Sequence, residues 1–195
     1  MTNSPLRRII HWAAGALAFA AMLALPQPAQ AQLEPREHLA LTGNALLNSD
    51  FSGWNEQGVM HWRSNLPEAL SRGEEGNPPR SILLMAPADK GYVDVNQFLN
   101  PELLLPGDTI LFESEVYSDE PGAVEMTLRV NFEDENQRIL EKATHSGNGW
   151  QTLTVAITVP EAKLLSVEFR VRLAANATAP ARVRAARADI VPVMP

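Results

Sequence analysis

The side chains best suited to hold a ligand recur at every second position in the second half of the chain. Glu115 and Tyr117 alternate with apolar residues in "TILFESEVYS". Arg129 and Asn131 do so in "VEMTLRVNFE", and Arg170 in "LSVEFRVRL". An aromatic ring offers an apolar surface for stacking, and arginine offers a planar fork of hydrogen-bond donors. Together these residue types could hold a polyhydroxylated or charged molecule.

The same polar positions have a simpler interpretation. They could form a solvated face on which glutamate lies opposite arginine, in ion pairs that contribute little to stability. Aromatic residues outside predicted core positions are few, namely Trp62, Tyr92 and Tyr117. Tyr117 favours binding because an aromatic residue seldom occupies the polar side of a strand without a function. Trp62 fits a core position equally well, since it shares a face with Met60.

Motifs of catalysis do not appear in the sequence. His38, His61 and His145 are not spaced as zinc ligands, and the chain has no cysteine, Gly-x-Ser-x-Gly motif or phosphate-binding loop. His145, in "KATHSGNGW", is predicted to be exposed in a hairpin loop. Carboxylates are plentiful, but nothing distinguishes one pair as a glycosidase site. The sequence therefore favours binding over catalysis.

The elements that must position these residues are β-strands. The segments 109–118, 124–133, 153–159 and 165–173 each alternate apolar and polar residues, and turn-forming sequences separate them. This period of two predicts antiparallel strands with one buried face. Further strands are predicted near 44–48, 58–63, 81–86, 91–98 and 182–193, with one helical turn near 67–72. The prediction is an all-β, two-sheet sandwich.

The first residues resemble an export signal. Arg7 and Arg8 precede a long apolar run, and small residues end it at Ala31. We expect a cleaved signal peptide at 1–31, a linker at 32–42 and one domain at 43–195, in a secreted or periplasmic protein. A retained membrane anchor is the alternative.

The charge of the chain bears on its partners. The net charge of −7 becomes −9 when residues 1–31 are removed, because Arg7 and Arg8 are their only charged residues. An acidic surface argues against nucleic acid and against an anionic membrane as partners. It does not bear on neutral sugars, and it leaves a protein partner open.

Four motifs, in order from Asn44 to Val193, resemble the carbohydrate-binding modules of families 4, 9 and 22. They are "NALLNSDFSGW", "VNQFLNPELLLPGDTILFESEVYSD", "GNGWQTLTVAITVP" and "ADIVPV". The resemblance implies a jelly-roll β-sandwich of the galactose-binding-like kind. It also implies that Phe51 and Trp54 fill one end of the core, and that Trp150 does so at a later strand.

The resemblance places sugar on the concave face of one sheet or on the loops at its rim, where Tyr92 would lie. It further implies a structural Ca²⁺ held by Asp189 together with backbone carbonyls near Asp50, since hard oxygen ligands suit this ion. The alternative for Asp189 is a hydrogen bond to the backbone at a strand end.

These observations lead to one main expectation about function. It is non-catalytic binding of a polysaccharide or oligosaccharide in a groove lined by Tyr117 and Arg129. The ligand-binding candidates are Tyr92, Glu115, Tyr117, Arg129, Asn131 and Arg170. The alternatives are a structural or protein-interaction module on the same fold and, third, a small glycan-active hydrolase or lyase.

Overall fold

Alternating apolar residues form two antiparallel sheets in the computed structural model of the protein. The structure describes residues 43–74, 80–86, 91–134 and 137–192, all within one unit, Leu33–Pro195. The predicted signal peptide and linker lie outside the described residues. Among the residues described, no helix is long and apolar enough to cross a membrane.

In the described part of the chain, the regular elements are eleven strands and two short 3₁₀ helices. The helices are Pro67–Ala69 and Pro101–Leu103. The strands are β1 (Trp54–Asn55), β2 (Gly58–Val59), β3 (Leu70–Arg72), β4 (Ser81–Leu84), β5 (Val93–Leu99), β6 (Thr109–Ser118), β7 (Val124–Phe132), β8 (Arg138–Thr144), β9 (Gly149–Thr158), β10 (Leu164–Leu173) and β11 (Ala181–Val191).

Two sheets make up the sandwich, and β1 and β2 form a separate small ribbon. One sheet has four strands in the order β5-β10-β7-β8, and the other has five in the order β3-β4-β11-β6-β9. All described pairings are antiparallel. The predicted all-β jelly-roll sandwich is therefore confirmed.

The core lies between the two sheets, as the alternation of apolar residues predicts. Phe112 of β6 contacts Phe169 of β10 across the interface, with ring centroids 5.1 Å apart in an edge-on arrangement. Burial of these apolar faces supplies the main driving force for folding. The inward residues of β7 are completely or almost completely buried: Val124, Met126, Leu128, Val130 and Phe132.

A β-bulge in β11 decides which of its residues face outward. The register advances by three residues from Arg184 to Arg187 while the partner strand advances by two, from Glu115 to Glu113. The extra residue is accommodated by the backbone at Ala185, whose φ angle is +50°. Without the bulge the alternation would turn Arg187 toward the core.

The stretch at 44–53 forms bends and turns and not the predicted strand at 44–48. The Asn44 side chain accepts from the backbone of Leu46 and of Ala188, and the Asn48 amide binds both backbone groups of Gly53. These side-chain hydrogen bonds take the place of the backbone hydrogen bonds that a strand would form with its neighbour. A Cβ on Gly53 would lie 3.0 Å from Asn48 Oδ1, so the turn favours glycine.

Phe51 is completely buried, as predicted, and its ring lies 5.0 Å from that of Trp62. Trp54 is half-buried against the same core, and its indole N–H donates to the Phe51 carbonyl. Both side chains therefore take part in the packing of the hydrophobic core.

Other local predictions were wrong. The predicted strand near 58–63 shrinks to β2 and a single bridge at Arg63. The strands β3 and β8 were not predicted. In the case of β8, this is because it is an edge strand with most of its side chains exposed. His145 is buried instead of exposed: its Nδ1 accepts from Gly147 N and its Nε2 lies 3.1 Å from the Val116 carbonyl.

Candidate functional site

The six predicted ligand-binding residues separate onto opposite faces of the sandwich. Glu115 and Tyr117 project from β6, on the outside of the five-stranded sheet. The remaining four lie on the outer side of the four-stranded sheet or at its edge: Tyr92, Arg129, Asn131 and Arg170. The predicted groove shared by Tyr117 and Arg129 is wrong, because β6 and β7 follow each other in the chain but belong to different sheets.

We use the term four-stranded face for the outer surface of the four-stranded sheet. Strand registers place fifteen side chains there: Asp94, Asn96 and Phe98 of β5; Ser166, Glu168, Arg170 and Arg172 of β10; Glu125, Thr127, Arg129 and Asn131 of β7; and Arg138, Leu140, Lys142 and Thr144 of β8. Tyr92 precedes β5 in the same alternation.

A network of buried charges occupies the middle of this face. Glu168 and Asp94 are only 2% exposed although both project outward. Glu168 binds Arg129 on one side and Arg170 on the other, and Arg170 Nε lies 3.3 Å from Asp94 Oδ2. Because the carboxylates lie beneath the arginines, the guanidinium groups form the surface that a ligand would meet.

Two exposed aromatic rings stand at the ends of β5 on the same face. Tyr92 is 38% exposed and Phe98 is 43% exposed. Phe98 is the sixth residue after Tyr92 along extended chain, a distance of about 20 Å. Arg172 lies over the Tyr92 ring at 4.2 Å from its centroid, and Arg63 lies over the Phe98 ring at 5.5 Å.

The segment that carries Arg63 extends the sheet beyond β5. The backbones of Arg63 and Asn96 exchange two hydrogen bonds of 2.8 Å. The Asn65 side chain continues this pairing in place of a backbone. It accepts a hydrogen bond from Asp94 N and donates one to the Tyr92 carbonyl. This pairing fixes Arg63 at the rim of the face, beside Phe98.

A pocket of about 150 Å³ opens at the same rim. Its walls are Leu47, His61, Arg63, Gln97 and Phe98. The Gln97 amide is fully engaged with the backbone of Leu47 and His61, so it shapes the wall and is not free to bind a ligand. The exposed polar side chains of the pocket are those of Arg63 and His61.

Two donors on the four-stranded face have no hydrogen-bond partner among the described residues. The Nε atoms of Arg129 and Arg172 are buried without a hydrogen bond in the part of the chain that the structure describes. Buried donors are nearly always satisfied in folded proteins, by protein, water or ligand. Both atoms lie below the surface, so a ligand could reach them only if neighbouring side chains moved.

The outer surface of the five-stranded sheet, the five-stranded face, has a different arrangement. A pair of aromatic rings, Tyr117 and Trp150, lies at one end of β6 and of the edge strand β9, with centroids 5.6 Å apart. Arg184 covers Trp150 at 4.0 Å and Arg182 covers Tyr117 at 5.3 Å. Glu115 forms an ion pair with Arg184.

Trp150 was predicted to lie in the core, and this was wrong. It pairs with Tyr117 on the outer side and is 36% exposed. The alternation in β9 contains the signal: Leu153 faces inward, so Trp150, three positions earlier, faces outward.

The Tyr117 hydroxyl is already engaged within the protein. It donates to Asp119 Oδ1 at 2.8 Å. This hydrogen bond and the negative charge of Asp119 raise the pKa of Tyr117. The hydroxyl would have to exchange this bond to hold a ligand.

The residues proposed for calcium do not fit the ion in the arrangement that the resemblance implies. Both Asp189 carboxylate oxygens accept from Arg187 Nε at 2.7 Å, which raises the pKa of Arg187. Asp50 accepts from Ser52, and the neighbouring Ser49 carbonyl accepts from Ala186 N. No cluster of three or more acidic, histidine or cysteine side chains occurs among the described residues. Arginine supplies the charge that Ca²⁺ would otherwise supply.

Sequence reasoning missed Phe98 and Arg63 as site residues. The signal for Phe98 is its position in the alternation of β5. It shares a face with Tyr92, Asp94 and Asn96, so a large apolar ring lies on the polar side of the strand. Arg63 offers no such signal, because only the bridge to Asn96 places it on the sheet.

Comparison with known proteins supports the fold. No protein-family model matches the sequence, and no curated protein matches it. Solved structures that match are mostly carbohydrate-binding modules. A family 16 carbohydrate-binding module has a TM-score of 0.53 at 16% identity, over 74% of this chain and 99% of its own.

Two further structures show the range of proteins with this fold. A tandem of family 22 modules from Paenibacillus barcinonensis Xyn10C has a TM-score of 0.51 at 17% identity, covering 70% of this chain and 46% of that chain. The enzymatically active domain of tailspike protein 4 from bacteriophage CBA120 has a TM-score of 0.54 at 10% identity, covering 76% of this chain. This chain spans only 21% of the tailspike. The chain thus has the jelly-roll fold found in carbohydrate-binding modules.

Proposed function

We propose that this protein binds carbohydrate without catalysis, on the four-stranded face. The observation that carries the proposal is the pair of exposed rings, Tyr92 and Phe98, at the two ends of one strand with a row of polar groups beside them. Apolar faces of sugar rings stack on aromatic side chains, and sugar hydroxyls need convergent donors and acceptors. Both components are present on one surface.

The polar part of the site suits hydroxyl groups. The Asn96 side chain has no hydrogen-bond partner among the described residues, and it lies between the two rings on β5. Arg170 and Arg172 stand opposite Asn96 and Asp94 on the neighbouring strand. The buried carboxylates hold Arg129 and Arg170 in place before a ligand arrives, which lowers the entropic cost of binding.

The five-stranded face is a weaker candidate for sugar. Its two rings contact each other, so part of each ring surface is already covered by the other ring. The Tyr117 hydroxyl and the Glu115 carboxylate are engaged within the protein.

The test is affinity electrophoresis of the purified protein against neutral and acidic polysaccharides, with two matched variants. Phe98→Ala removes an exposed ring from the proposed site, and Trp150→Ala removes one from the opposite face. We expect retardation by at least one polysaccharide, weakened by Phe98→Ala and unchanged in Trp150→Ala. Loss in the Trp150 variant alone would move the site to the five-stranded face. A folded protein that no polysaccharide retards would refute the proposal.

A protein-interaction function is the second candidate, and the five-stranded face favours it. Tryptophan, tyrosine and arginine are the residues most enriched in interface hot spots, and Trp150, Tyr117, Arg182 and Arg184 cluster there. Pull-down of a partner that Trp150→Ala abolishes, without any polysaccharide binding, would favour this alternative.

Export remains part of the proposal on the basis of residues 1–31. Fractionation of the native host's cells, with mass spectrometry of the mature N-terminus, tests it. A mature chain that begins near Gln32 outside the cytoplasm is the expected result.

A further inference from the structure

We infer that the carbohydrate held by the four-stranded face is acidic, with carboxylate groups of uronic acid residues bound by its arginines. This inference rests on the proposed function and names the class of ligand for the same site.

The first argument is the charge of the face. Together with Arg63 it carries six basic and three acidic side chains, whereas the chain as a whole has a net charge of −7. The five-stranded face carries three of each: Arg182, Arg184 and Arg187 with Glu113, Glu115 and Asp189. Positive charge is therefore concentrated on one of the two faces.

The second argument is that the acids of this face are already neutralised. Glu168 binds two arginines, Asp94 lies beside Arg170, and Glu125 binds Lys142 at 3.2 Å. Arg63 and Arg172 remain without a carboxylate within ion-pair distance among the described residues. Each lies over one face of an exposed ring, so a cation adjoins an aromatic ring at both ends of β5.

The third argument is the geometry of the donors. Guanidinium groups match carboxylates through paired, charge-assisted hydrogen bonds. A uronic acid presents both an apolar ring face and a carboxylate, which correspond to the two components at each end of the site. At the Phe98 end, the pocket beside Arg63 offers space for the carboxylate.

The negative charge elsewhere on the protein does not prevent such binding. Salt screens charges over a distance of about 8 Å at physiological ionic strength. A ligand on the face therefore experiences mainly the local arginines, and the acidic remainder disfavours unspecific attachment of polyanions.

The experiment compares each acidic polymer with its own neutral form. Polygalacturonate and alginate are each paired with the same polymer after carboxyl reduction, and affinities are measured by titration calorimetry at low and high salt. We expect at least one acidic form to bind roughly tenfold more tightly than its reduced counterpart, and high salt to reduce the difference.

Two substitutions that remove the same charge provide the matched control. Arg172→Gln on the four-stranded face should weaken binding of the acidic form roughly tenfold. Arg187→Gln on the five-stranded face should leave it unchanged. Arg63→Gln, at an exposed site, replaces Arg172→Gln if that variant does not fold.

The outcomes separate this inference from the proposed function. Equal binding of acidic and reduced polymers, or binding of neutral polysaccharides alone, overturns the inference and leaves carbohydrate binding intact. Dextran sulfate binding as tightly as the uronates would show attraction to charge alone, and would also overturn it. Absence of binding to every polysaccharide removes both.

Discussion

The two outer faces of the sandwich contain the same kinds of residue in different arrangements. On the four-stranded face the carboxylates are buried beneath arginines, and the aromatic rings stand apart at the ends of an edge strand. On the five-stranded face the rings contact each other at one end of β6 and β9, and Glu115 is half exposed beside Arg184. Residue composition alone therefore does not define a binding site. What distinguishes the faces is which groups remain free after the internal contacts are made.

The largest expected difference between the faces concerns stability. Glu168→Gln removes the charge that neutralises Arg129 and Arg170, and should lower the free energy of unfolding by about 3 kcal/mol, because breaking a buried ion pair leaves its partner uncompensated. Glu115→Gln breaks an exposed pair with Arg184 and should cost at most about 1 kcal/mol. Urea denaturation measures both. Equal costs would contradict the contrast between the faces.

A second difference concerns ligand affinity. Tyr92→Ala should weaken saccharide binding roughly threefold to tenfold, the value of one stacking contact. Tyr117→Ala should leave the affinity unchanged, because its ring lies on the other sheet. Calorimetry with the saccharide that binds best distinguishes them, and circular dichroism confirms that both variants are folded. The reverse order of effects would place the ligand on the five-stranded face.

A third, smaller effect is the titration of Tyr117. The Asp119 carboxylate raises the pKa of Tyr117, so the protonated hydroxyl is favoured in the folded state. Any stability from this contact is complete below the ordinary tyrosine pKa and is lost as pH rises through the raised value. Ultraviolet titration of the phenolate should show a lower pKa for Tyr117 in Asp119→Asn. An unchanged titration curve would mean that the hydrogen bond is absent in solution.

The smallest expected effect is that of calcium on the five-stranded face. Because Arg187 already binds Asp189, we expect the melting temperature to be the same with Ca²⁺ and with chelator. Differential scanning calorimetry tests this directly. A clear rise with Ca²⁺ would show that a ligand bound to the folded state alone stabilises it, and would restore the calcium site that the resemblance implies.

The predictions from sequence succeeded where a local period reported burial. The alternation in 124–133 and 165–173 correctly placed Phe169 and the apolar residues at every second position in the core. A period of two gives each strand one apolar face. The same period, continued back from Leu153, would have placed Trp150 outside. The error arose because Trp150 was assigned to the core from its residue type and not from its position in the alternation of the strand.

The predictions failed where the outcome depended on contacts distant in sequence. The edge strand β8 has few buried side chains, so its sequence hardly differs from that of a loop. His145 is buried, and its Nε2 lies 3.1 Å from the carbonyl of Val116, a contact with a distant strand that the loop sequence in isolation does not show.

The sequence by itself determined that the protein is an antiparallel β-sandwich and which residues of each long strand face inward, because hydrophobic burial acts through the alternation of neighbouring side chains. The tertiary structure alone decided which polar residues share a surface. Sheet membership is set by pairings between distant segments, such as Arg170 with Asn96 and Tyr117 with Trp150. These pairings separate Tyr117 from Arg129, and they join Arg63, Tyr92, Phe98 and Arg172 into one candidate site.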